Sequence, residues 1–402
     1  MPLAAVSAVL AYPAGEFHYV GTIFCVLALV VLGRLVVGEM QGRLFVRRIL
    51  ILGGGRTAAA IIDEIESREH SRYVVAGVVT QAAPKTRTAA ERWVGRLDEL
   101  TDIVGRLCPS RIVIAFDRRE QLPLAPLLES RVRGVPVEDA WEFYERLTGA
   151  VPIEALTPSA LIHSHGFRNG NTSRWLARVM SVTSAAAGLI VLLPVFVVIA
   201  IAIKLESAGP VLFVQERTGK DGRPFRLYKF RTMHPSQQHH SEWVQDNEER
   251  VTRVGHWLRR FRADELPQFI NILRGEMNLV GPRPHPVSNQ QLFVERIAFY
   301  SLRSAVLPGL TGWAQVRYRY ANTLEEETEK MRHDLYYIKN RSLWLDLWIL
   351  AATISIVFRG SDMSVMRSPA RLQRRGPHGA CLSGGVERLV SRRRTRRPVR
   401  VT

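Results

Sequence analysis

The residues best suited to chemistry are the adjacent carboxylates Asp264 and Glu265, which follow a run rich in arginine. On a helix, neighbouring side chains diverge by about 100°, so the two carboxylates need not share one role. One could attack phosphorus while the other holds a divalent cation. Guanidinium groups beside them would bind phosphate oxygens through paired hydrogen bonds. This segment therefore favours phosphoryl transfer, with Mg²⁺ as the expected cofactor.

The element predicted to position this pair is a helix that starts near Asp264. Pro267 is tolerated in a first helical turn, and Gly275 can end the helix. Asp264 would then lie at or near the N-cap, where a diphosphate would meet backbone N–H groups. The alternative interpretation is that Asp264 is only an N-cap and that the nearby arginines form a solvated face.

Ordered motifs run through the same part of the chain. They are residues 209–219 (GPVLFVQERTG), 229–233 (KFRTM), 252–255 (TRVG), 264–268 (DELPQ), 281–284 (GPRP), 308–315 (PGLTGWAQ) and 334–337 (DLYY). With these motifs, the chain from about residue 174 to residue 360 resembles the bacterial sugar transferases that act on polyprenyl phosphate. This family is also called the polyprenyl-phosphate hexose-1-phosphate transferases.

The resemblance implies a phosphotransferase that moves sugar-1-phosphate from a UDP-sugar to undecaprenyl phosphate and releases UMP. UDP-glucose or UDP-galactose is the expected donor, and the reaction would initiate the synthesis of an exopolysaccharide or a related glycan. By motif position, Asp264 matches the family's nucleophile, which forms a phospho-sugar intermediate. Glu265 matches the residue that helps to hold Mg²⁺. Arg259, five residues before the nucleophile, matches a phosphate-binding arginine.

Three further cations are placed in the site by motif position alone. Lys229, Arg231 and Arg283 look like additional contacts to substrate phosphate, although each could instead pair with a structural carboxylate. The chain also departs from the family pattern just before the dyad. Residues 261–263 are Phe-Arg-Ala where the family often has Thr-Ser-Leu. This difference could alter the preference for a sugar while leaving the dyad intact.

An apolar segment of about 25 residues, 179–203, precedes the motifs and is long enough to span a hydrocarbon core of ~30 Å. Pro194 lies within it and must free a backbone carbonyl and kink the helix. The resemblance implies a re-entrant membrane helix that enters and leaves by the cytoplasmic face. The family usually has Ser before this proline, whereas Leu193 stands here.

The first membrane segment, residues 19–37, is predicted to be a transmembrane helix within an N-terminal membrane region of residues 1–46. Residues 1–18 contain no Lys or Arg, while Arg43, Arg47 and Arg48 follow the segment. This asymmetry places the start outside and the remainder of the chain on the cytoplasmic side. The resemblance implies that the membrane is the bacterial inner membrane and that the catalytic domain lies on its cytoplasmic side. The competing idea is a cleaved signal peptide, but a basic n-region is missing. Longer members of the family that the chain resembles have several helices here, so the start could be truncated or the chain could be a short natural variant.

Residues 47–165 alternate short apolar runs with helical stretches, which predicts a Rossmann-like βαβ domain. Gly53, Gly55 and Ala58 fit a turn that could bring backbone N–H groups against a diphosphate. The acidic residue expected after the second strand is absent, because Thr80 and Gln81 stand there. Dinucleotide binding and a regulatory or purely structural role are therefore both open.

Composition fits this α/β membrane-associated layout, with a mostly α catalytic domain over residues 174–360. The chain has 402 residues, 47% hydrophobic content and a net charge of +18. Residues 363–402 hold eleven Arg and one Glu, which predicts a disordered basic tail. The tail could contact anionic lipid, but no specific nucleic-acid module is present. The three cysteines are isolated in sequence, which argues against a disulfide framework. A homodimer is plausible by resemblance to long family members.

Two other function classes deserve comparison. A sugar-nucleotide modifying enzyme that uses NAD could employ the glycine turn, but neither Tyr73 nor Tyr144 is followed by Lys four residues later. A noncatalytic membrane scaffold, or a regulatory protein that binds nucleotide sugars, would leave the carboxylate and arginine cluster unexplained. Trp344 and Trp348 lie in an apolar run that predicts a helix at the membrane interface, with packing against the catalytic core as the alternative. His239 and its neighbour His240 indicate a polar surface loop rather than a metal site.

Overall fold

The structure is a computed structural model that describes eight stretches of the chain. They are residues 46–68, 71–84, 86–116, 122–153, 166–167, 170–234, 250–318 and 323–359. The predicted first membrane segment (19–37), the basic tail (363–402) and the histidine pair at 239–240 lie outside these residues. The chain divides into two compact units between Pro152 and Ile153. The predicted end of the first domain, residue 165, also lies outside the described residues.

The first unit alternates strands and helices. Its elements are β1 (Arg47–Leu52), α1 (Arg56–Glu66), β2 (Tyr73–Thr80), α2 (Arg87–Glu91), β3 (Trp93–Arg96), α3 (Leu100–Leu107), β4 (Arg111–Ile114), α4 (Leu124–Val132), β5 (Val137–Asp139) and α5 (Ala140–Thr148). The strands form a wholly parallel sheet in the order β3-β2-β1-β4-β5. This order matches five of the six strands of the Rossmann order 3-2-1-4-5-6. The predicted βαβ arrangement is confirmed.

Burial explains why the central strands of this sheet are almost continuously apolar. Ile49, Leu50, Ile51 and Leu52 in β1 are all fully buried. Helices cover both faces of a parallel sheet, so both side-chain faces of a central strand are removed from water. The side chains of β1 accordingly divide between two hydrophobic clusters on opposite faces.

The glycine turn after β1 is explained by close packing of neighbouring loops. Gly53 has φ +119°, and a Cβ atom there would lie 2.5 Å from the carbonyl oxygen of Ala115. A Cβ atom on Gly54 would lie 2.9 Å from the Cα atom of Pro84. Both contacts require glycine without any ligand. Packing therefore favours the structural interpretation of this turn, and nucleotide binding stays a prediction.

The second unit is mostly helical. Its elements are α6 (Asn171–Val191), α7 (Leu193–Glu206), β6 (Leu212–Thr218), β7 (Pro224–Phe230), α8 (Arg253–Arg260), α9 (Gln268–Arg274), β8 (Asn278–Val280), α10 (Val287–Arg296), β9 (Gly309–Thr311), α11 (Trp313–Arg317), α12 (Leu324–Asn340) and α13 (Leu343–Arg359). Strands β6 and β7 form an antiparallel hairpin, and β8 pairs with β9 in parallel. These short strands position the loops that carry the candidate site.

The apolar segment around Pro194 forms two helices with a sharp bend between them. Within the described stretches, no single helix is long and apolar enough to cross a membrane, and α6 and α7 meet that test only together, across a bend of 62°. Leu192 ends α6, and Pro194 lies in the first turn of α7. Proline lacks the N–H that would continue the ladder of α6, so the break falls where the sequence predicts a kink. The helices extend beyond the predicted range of 179–203.

The bent pair is anchored to the rest of its unit by Arg178 on α6. Its Nη2 donates to the carbonyl oxygen of Ile272 at 2.6 Å, and its Nη1 donates to that of Met277 at 2.7 Å. Ile272 belongs to α9, so these bonds satisfy carbonyls near the end of that helix. In contrast, Val198 and Leu205 on α7 are exposed. The pair therefore combines an anchored half with a half that presents apolar side chains outward.

Helix α13 packs on the core through one face. Asp346 is buried and accepts a hydrogen bond from the hydroxyl of Tyr337 at 2.8 Å. Trp348 packs against Trp313, with ring centroids 5.2 Å apart, while Trp344 is exposed. Packing against the catalytic core, the alternative considered from the sequence, is thus present. An interfacial position for the exposed face stays a prediction.

Candidate active site

The carboxylate dyad lies in a single 3-10 turn between α8 and α9. Arg262 has φ +54°, in the left-handed region, and the turn Ala263–Glu265 follows it directly. The backbone N–H of Glu265 donates to the carbonyl of Arg262 at 3.2 Å, and that of Leu266 donates to Ala263 at 3.3 Å. Bonds of this type satisfy the donors of a short turn.

The predicted helix start is therefore wrong at this point. Asp264 is not an N-cap, because α9 begins at Gln268, after Pro267. The left-handed residue that ends α8 leaves room for only one tight turn before the proline. Positive charge at the dyad thus comes from side chains rather than from a helix N-terminus. The predicted end of the helix is confirmed, since Gly275 is a left-handed C-cap.

Glu265 is held between two cations. Its Oε1 accepts a hydrogen bond from Lys229 Nζ at 3.1 Å and another from Arg283 Nη2 at 2.6 Å. The side chain is only 9% exposed. Burial alone would raise the pKa of this carboxyl, but the charges of Arg283 and Lys229 hold its pKa well below the usual range. Glu265 is therefore ionised, and its charge is matched inside the protein.

The pKa of Asp264 is shifted in the opposite direction. Burial raises the pKa of its carboxyl, and the neighbouring charge of Glu265 raises it further. Lys229, Arg283 and Arg259 act against this rise without cancelling it. Paired carboxyls whose environments push their pKa values apart commonly serve different chemical roles. In this arrangement, ionisation is less favourable for the carboxyl of Asp264 than for that of Glu265.

Arg259 is positioned near the dyad by the segment that follows β7. Its Nε donates to Thr232 Oγ1 at 3.1 Å. Arg231, one residue earlier, points elsewhere, since its Nη2 donates to the carbonyl oxygen and the hydroxyl of Ser207 at 2.7 and 2.9 Å. The structure thus brings Lys229, Arg259 and Arg283 together at the dyad. It directs Arg231 to the end of α7, so a phosphate contact by Arg231 stays a prediction.

Two further cations act on the site: Arg262, one of the arginines that the sequence places just before the dyad, and Arg217, which sequence reasoning missed. The charge of Arg217 on β6 lowers the pKa of Lys229, although burial is the larger cause of that shift. The charge of Arg262 helps to lower the pKa of Glu265. Arg217 lies in the GPVLFVQERTG motif, so the sequence did offer a signal that this residue could belong to the site. Only the folded hairpin shows that this motif approaches the dyad.

The loop that carries Arg283 is fixed by contacts to its main chain. Four consecutive carbonyls each accept a hydrogen bond from another element: Pro282 from Gly309 N (2.9 Å), Arg283 from Arg303 Nη2 (2.9 Å), Pro284 from Arg217 Nη1 (3.4 Å) and His285 from Thr218 N (2.9 Å). A loop held at every residue places the side chain of Arg283 reproducibly.

A buried ionic network stands behind this loop. Arg303 Nε donates to Asp334 Oδ2 at 2.7 Å, and its Nη1 donates to the hydroxyl of Tyr300 at 2.7 Å. His285 lies 3.1 Å from Glu327. Burial, reinforced by the charge of Arg303, lowers the pKa of His285 to about 3, so this imidazole is neutral at physiological pH. The network gives a physical reason for Asp334 in the DLYY motif.

The donor set of the dyad fits a Mg²⁺ ion that is shared with a substrate. Mg²⁺ commonly binds one or two carboxylates together with substrate phosphates and several waters. Asp264 and Glu265 supply two adjacent carboxylates, and both cationic contacts of Glu265 use Oε1. Within the described ranges, no group of three or more His, Cys, Asp and Glu side chains could hold a metal alone.

Comparisons with known proteins show which family this chain resembles. The family described as bacterial sugar transferase matches residues 172–360. An N-acetylgalactosaminephosphotransferase of Aeromonas hydrophila, named for UDP-N-acetylgalactosamine and undecaprenyl phosphate, is 42% identical over 227 residues, 56% of this chain and 53% of that protein. The UDP-glucose:undecaprenyl-phosphate glucose-1-phosphate transferase of Escherichia coli K12 is 32% identical over 341 residues, 81% of this chain and 70% of that protein.

A third relative matches a shorter stretch more closely. The UDP-glucose:undecaprenyl-phosphate glucose-1-phosphate transferase of Caulobacter vibrioides is 45% identical over 182 residues, which are 44% of this chain and 67% of that protein. The chain thus spans between about half and 70% of the length of these three relatives. The family match covers the dyad, the three predicted cations beside it and all but the first residue of the bent helix pair. The chain belongs to the bacterial sugar transferase family.

Proposed function

We propose that this chain transfers sugar-1-phosphate from a UDP-sugar to undecaprenyl phosphate and releases UMP, as the initiating step of exopolysaccharide or related glycan synthesis. The observation that carries the proposal is the dyad, in which Glu265 accepts hydrogen bonds from Lys229 and Arg283 and the buried Asp264 stands beside it. Arg259 adds a third positive charge. A diphosphate donor and a lipid phosphate acceptor are both anions that such a cluster would bind. The names of the relatives support these substrate classes.

The proposed reaction has two displacements at one phosphorus. A carboxylate oxygen of Asp264 attacks the phosphorus that bears the sugar, and the bond from that phosphorus to the UMP oxygen breaks. UMP leaves with the electron pair of the broken bond, and the sugar phosphate is held as an acyl phosphate on Asp264. A phosphate oxygen of undecaprenyl phosphate then attacks the same phosphorus. The carboxylate of Asp264 is released, and the lipid carries a diphosphate sugar.

The other residues of the site bind and neutralise charge. Arg259, Lys229 and Arg283 would bind phosphate oxygens and stabilise the negative charge that spreads over them in the transition state. Glu265 would keep Lys229 and Arg283 in place between turnovers, and with Asp264 it would hold Mg²⁺ beside the diphosphate. When bound, Mg²⁺ supplies charge neutralisation at the phosphate oxygens. Glu265 therefore has both a positioning and a metal-binding role.

Purified protein in nanodiscs tests this function. UMP release should require undecaprenyl phosphate, Mg²⁺ and one of a panel of donors: UDP-glucose, UDP-galactose and UDP-N-acetylgalactosamine. The panel includes the last donor because the relatives are named for different sugars. Donor without lipid is the control for simple hydrolysis. If folded protein releases no UMP with any donor, the scaffold interpretation gains and the transferase proposal fails.

We also infer that α6 and α7 form a re-entrant hairpin in the bacterial inner membrane, with both ends on the cytoplasmic side. The bend of 62° and the positive charges at both ends, Arg178 and Lys204, support this topology. A straight span would separate these charges across the bilayer.

Cysteine labelling distinguishes the two topologies. Trp175 and Leu205 are exposed at opposite ends of the pair, so each is replaced by cysteine in a background with Cys25, Cys108 and Cys381 changed to serine. An impermeant maleimide should label both positions in inside-out vesicles and neither in right-side-out vesicles. Labelling of one position from each side would show a spanning helix and contradict re-entry.

A further inference from the structure

The end of α7 caps the helix that carries Arg259. Glu206, the last residue of α7, accepts hydrogen bonds from the backbone N–H of Arg253 at 2.7 Å and of Val254 at 3.1 Å. These are the first N–H groups of α8, which have no partner within their own helix. Thr252 caps the same end, since its Oγ1 accepts from Gly255 N at 2.9 Å. Helix α8 therefore begins with two caps, one of which comes from another helix.

The carboxylate of Glu206 suits this position electrostatically. The N-terminus of a helix carries a partial positive charge, which favours a negative group there. Burial raises the pKa of Glu206, but hydrogen bonds from Thr252, Val254 and Arg253 outweigh burial and lower its pKa. Glu206 is therefore ionised at physiological pH, when it accepts both backbone bonds.

Helix α8 in turn fixes Arg259 through close backbone packing. A Cβ atom on Gly255 would lie 2.2 Å from the carbonyl oxygen of Thr232, so the first turn of α8 lies directly on the chain that follows β7. The N–H of Thr252 donates to that same carbonyl at 3.0 Å. At the other end of α8, Arg259 donates to the hydroxyl of Thr232. A short helix held at both ends moves as one body.

A second contact joins the same helix end to the same segment. Ser207 follows Glu206 and accepts two hydrogen bonds from Arg231, which is 6% exposed. Arg231 stands between Lys229, which binds Glu265, and Thr232, which binds Arg259. Two consecutive residues, Glu206 at the end of α7 and Ser207 after it, thus contact two parts of the site: the helix that carries Arg259 and the segment that carries Lys229.

We propose that Glu206 is a positioning residue, which sets the place of Arg259 against the dyad and links it to the apolar helix α7. The inference rests on the proposed function for its kinetic consequence, although the structural link is independent of that function. If α7 lies in the bilayer, this link makes the depth of α7 a determinant of where Arg259 meets phosphate. Glu206 does not itself touch the reacting atoms.

A double-mutant cycle tests the proposal. Glu206→Ala should lower kcat/KM about 10- to 100-fold, the range expected for a displaced phosphate-binding group. In an Arg259→Ala background the same change should have no further effect, because the group that it positions is gone. Glu206→Gln keeps one acceptor oxygen and should recover part of the loss. Equal fold losses in both backgrounds would overturn the proposal.

A matched control separates positioning from general loss of a cap. Asp139 caps α5 in the other unit by accepting from Trp141 N at 2.9 Å, so Asp139→Ala removes a carboxylate cap of the same kind. Its kcat/KM should stay within about twofold of the wild type, as for a change outside the site. A comparable loss of activity in Asp139→Ala would show a nonspecific effect of lost stability.

Amide hydrogen exchange gives a readout that does not depend on transfer. Glu206→Ala, or Glu206→Gln if the alanine variant does not fold, should speed exchange across α8, from residue 256 to residue 260, and Asp139→Ala should not. Unchanged exchange in α8 would overturn the link between the helices. If the wild type transfers no sugar phosphate while exchange responds, the proposed function fails and the positioning of α8 by Glu206 stands.

Discussion

Asp264→Asn is expected to abolish lipid-dependent UMP release, by about 10⁴-fold or more, because an amide cannot attack phosphorus as a carboxylate does. The stability of Asp264→Asn should not fall together with its activity. The pKa of Asp264 is raised in the folded protein, so its contribution to stability is full below the usual pKa of an aspartate and is lost as pH rises through the raised value. At pH 7 ionisation of this group therefore costs stability. The neutral amide removes that cost. The variant should therefore keep or increase the thermal midpoint of unfolding at pH 7.

Intact-mass measurement checks the chemical part of this prediction. Wild-type protein incubated with donor and without lipid acceptor should gain the mass of a sugar phosphate, and Asp264→Asn should not. The matched control is Asp221→Asn in the exposed turn between β6 and β7, where φ is +55° and asparagine is well tolerated. Asp221→Asn should behave as the wild type in both assays. Retained transfer in Asp264→Asn would exclude Asp264 as the nucleophile.

The periodic parts of the fold could be predicted because their causes are local. Alternating apolar runs and helical stretches predict the parallel sheet of the first unit, since each run is buried on both faces. Gly275 ends a helix because it is achiral and adopts φ +86° at no steric cost. Pro194 marks the bend between α6 and α7 for the equally local reason that it lacks an N–H.

The geometry at the dyad could not be predicted in the same way. The tight turn depends on the left-handed conformation of Arg262, for which a non-glycine residue gives no clear signal. Glu265 pairs with Lys229 and Arg283, which are 36 and 18 positions away from it in the sequence. Such pairs follow from how the β6–β7 hairpin and the Gly-Pro-Arg-Pro loop are folded. Motif position identified the three residues, but not that the two cations hold one oxygen of Glu265.

The supporting residues were the hardest to anticipate. Arg303 contributes through its main-chain contact to Arg283, and Glu206 through the N-terminus of α8. In both cases one partner of the contact is a backbone group, which carries no signature in sequence. Sequence motifs therefore indicate the side chains that meet the substrate more readily than the residues that hold those side chains in place.

Glu265→Gln should also abolish transfer, but with the opposite effect on stability. The change leaves Lys229 and Arg283 without their buried counter-charge, and breaking a buried pair costs about 3 kcal/mol or more. Arg283 is 35% exposed, so solvent screens its share and the lower end of that range is expected. Chemical denaturation at pH 7 measures this loss. Glu216→Gln, on an exposed carboxylate of β6, should change stability by no more than about 0.5 kcal/mol.

The pH dependence of this loss identifies its origin. The pKa of Glu265 is lowered in the folded protein, so its charge stabilises the fold above the usual pKa of about 4.3 for a glutamate, and that contribution is lost as pH falls below this value. The difference between wild type and Glu265→Gln should therefore be full at pH 7 and shrink below about pH 4.3. A difference independent of pH would assign the loss to packing. Equal stability of Asp264→Asn and Glu265→Gln would mean that the two carboxylates share one electrostatic environment, and would contradict the opposed directions of their pKa shifts.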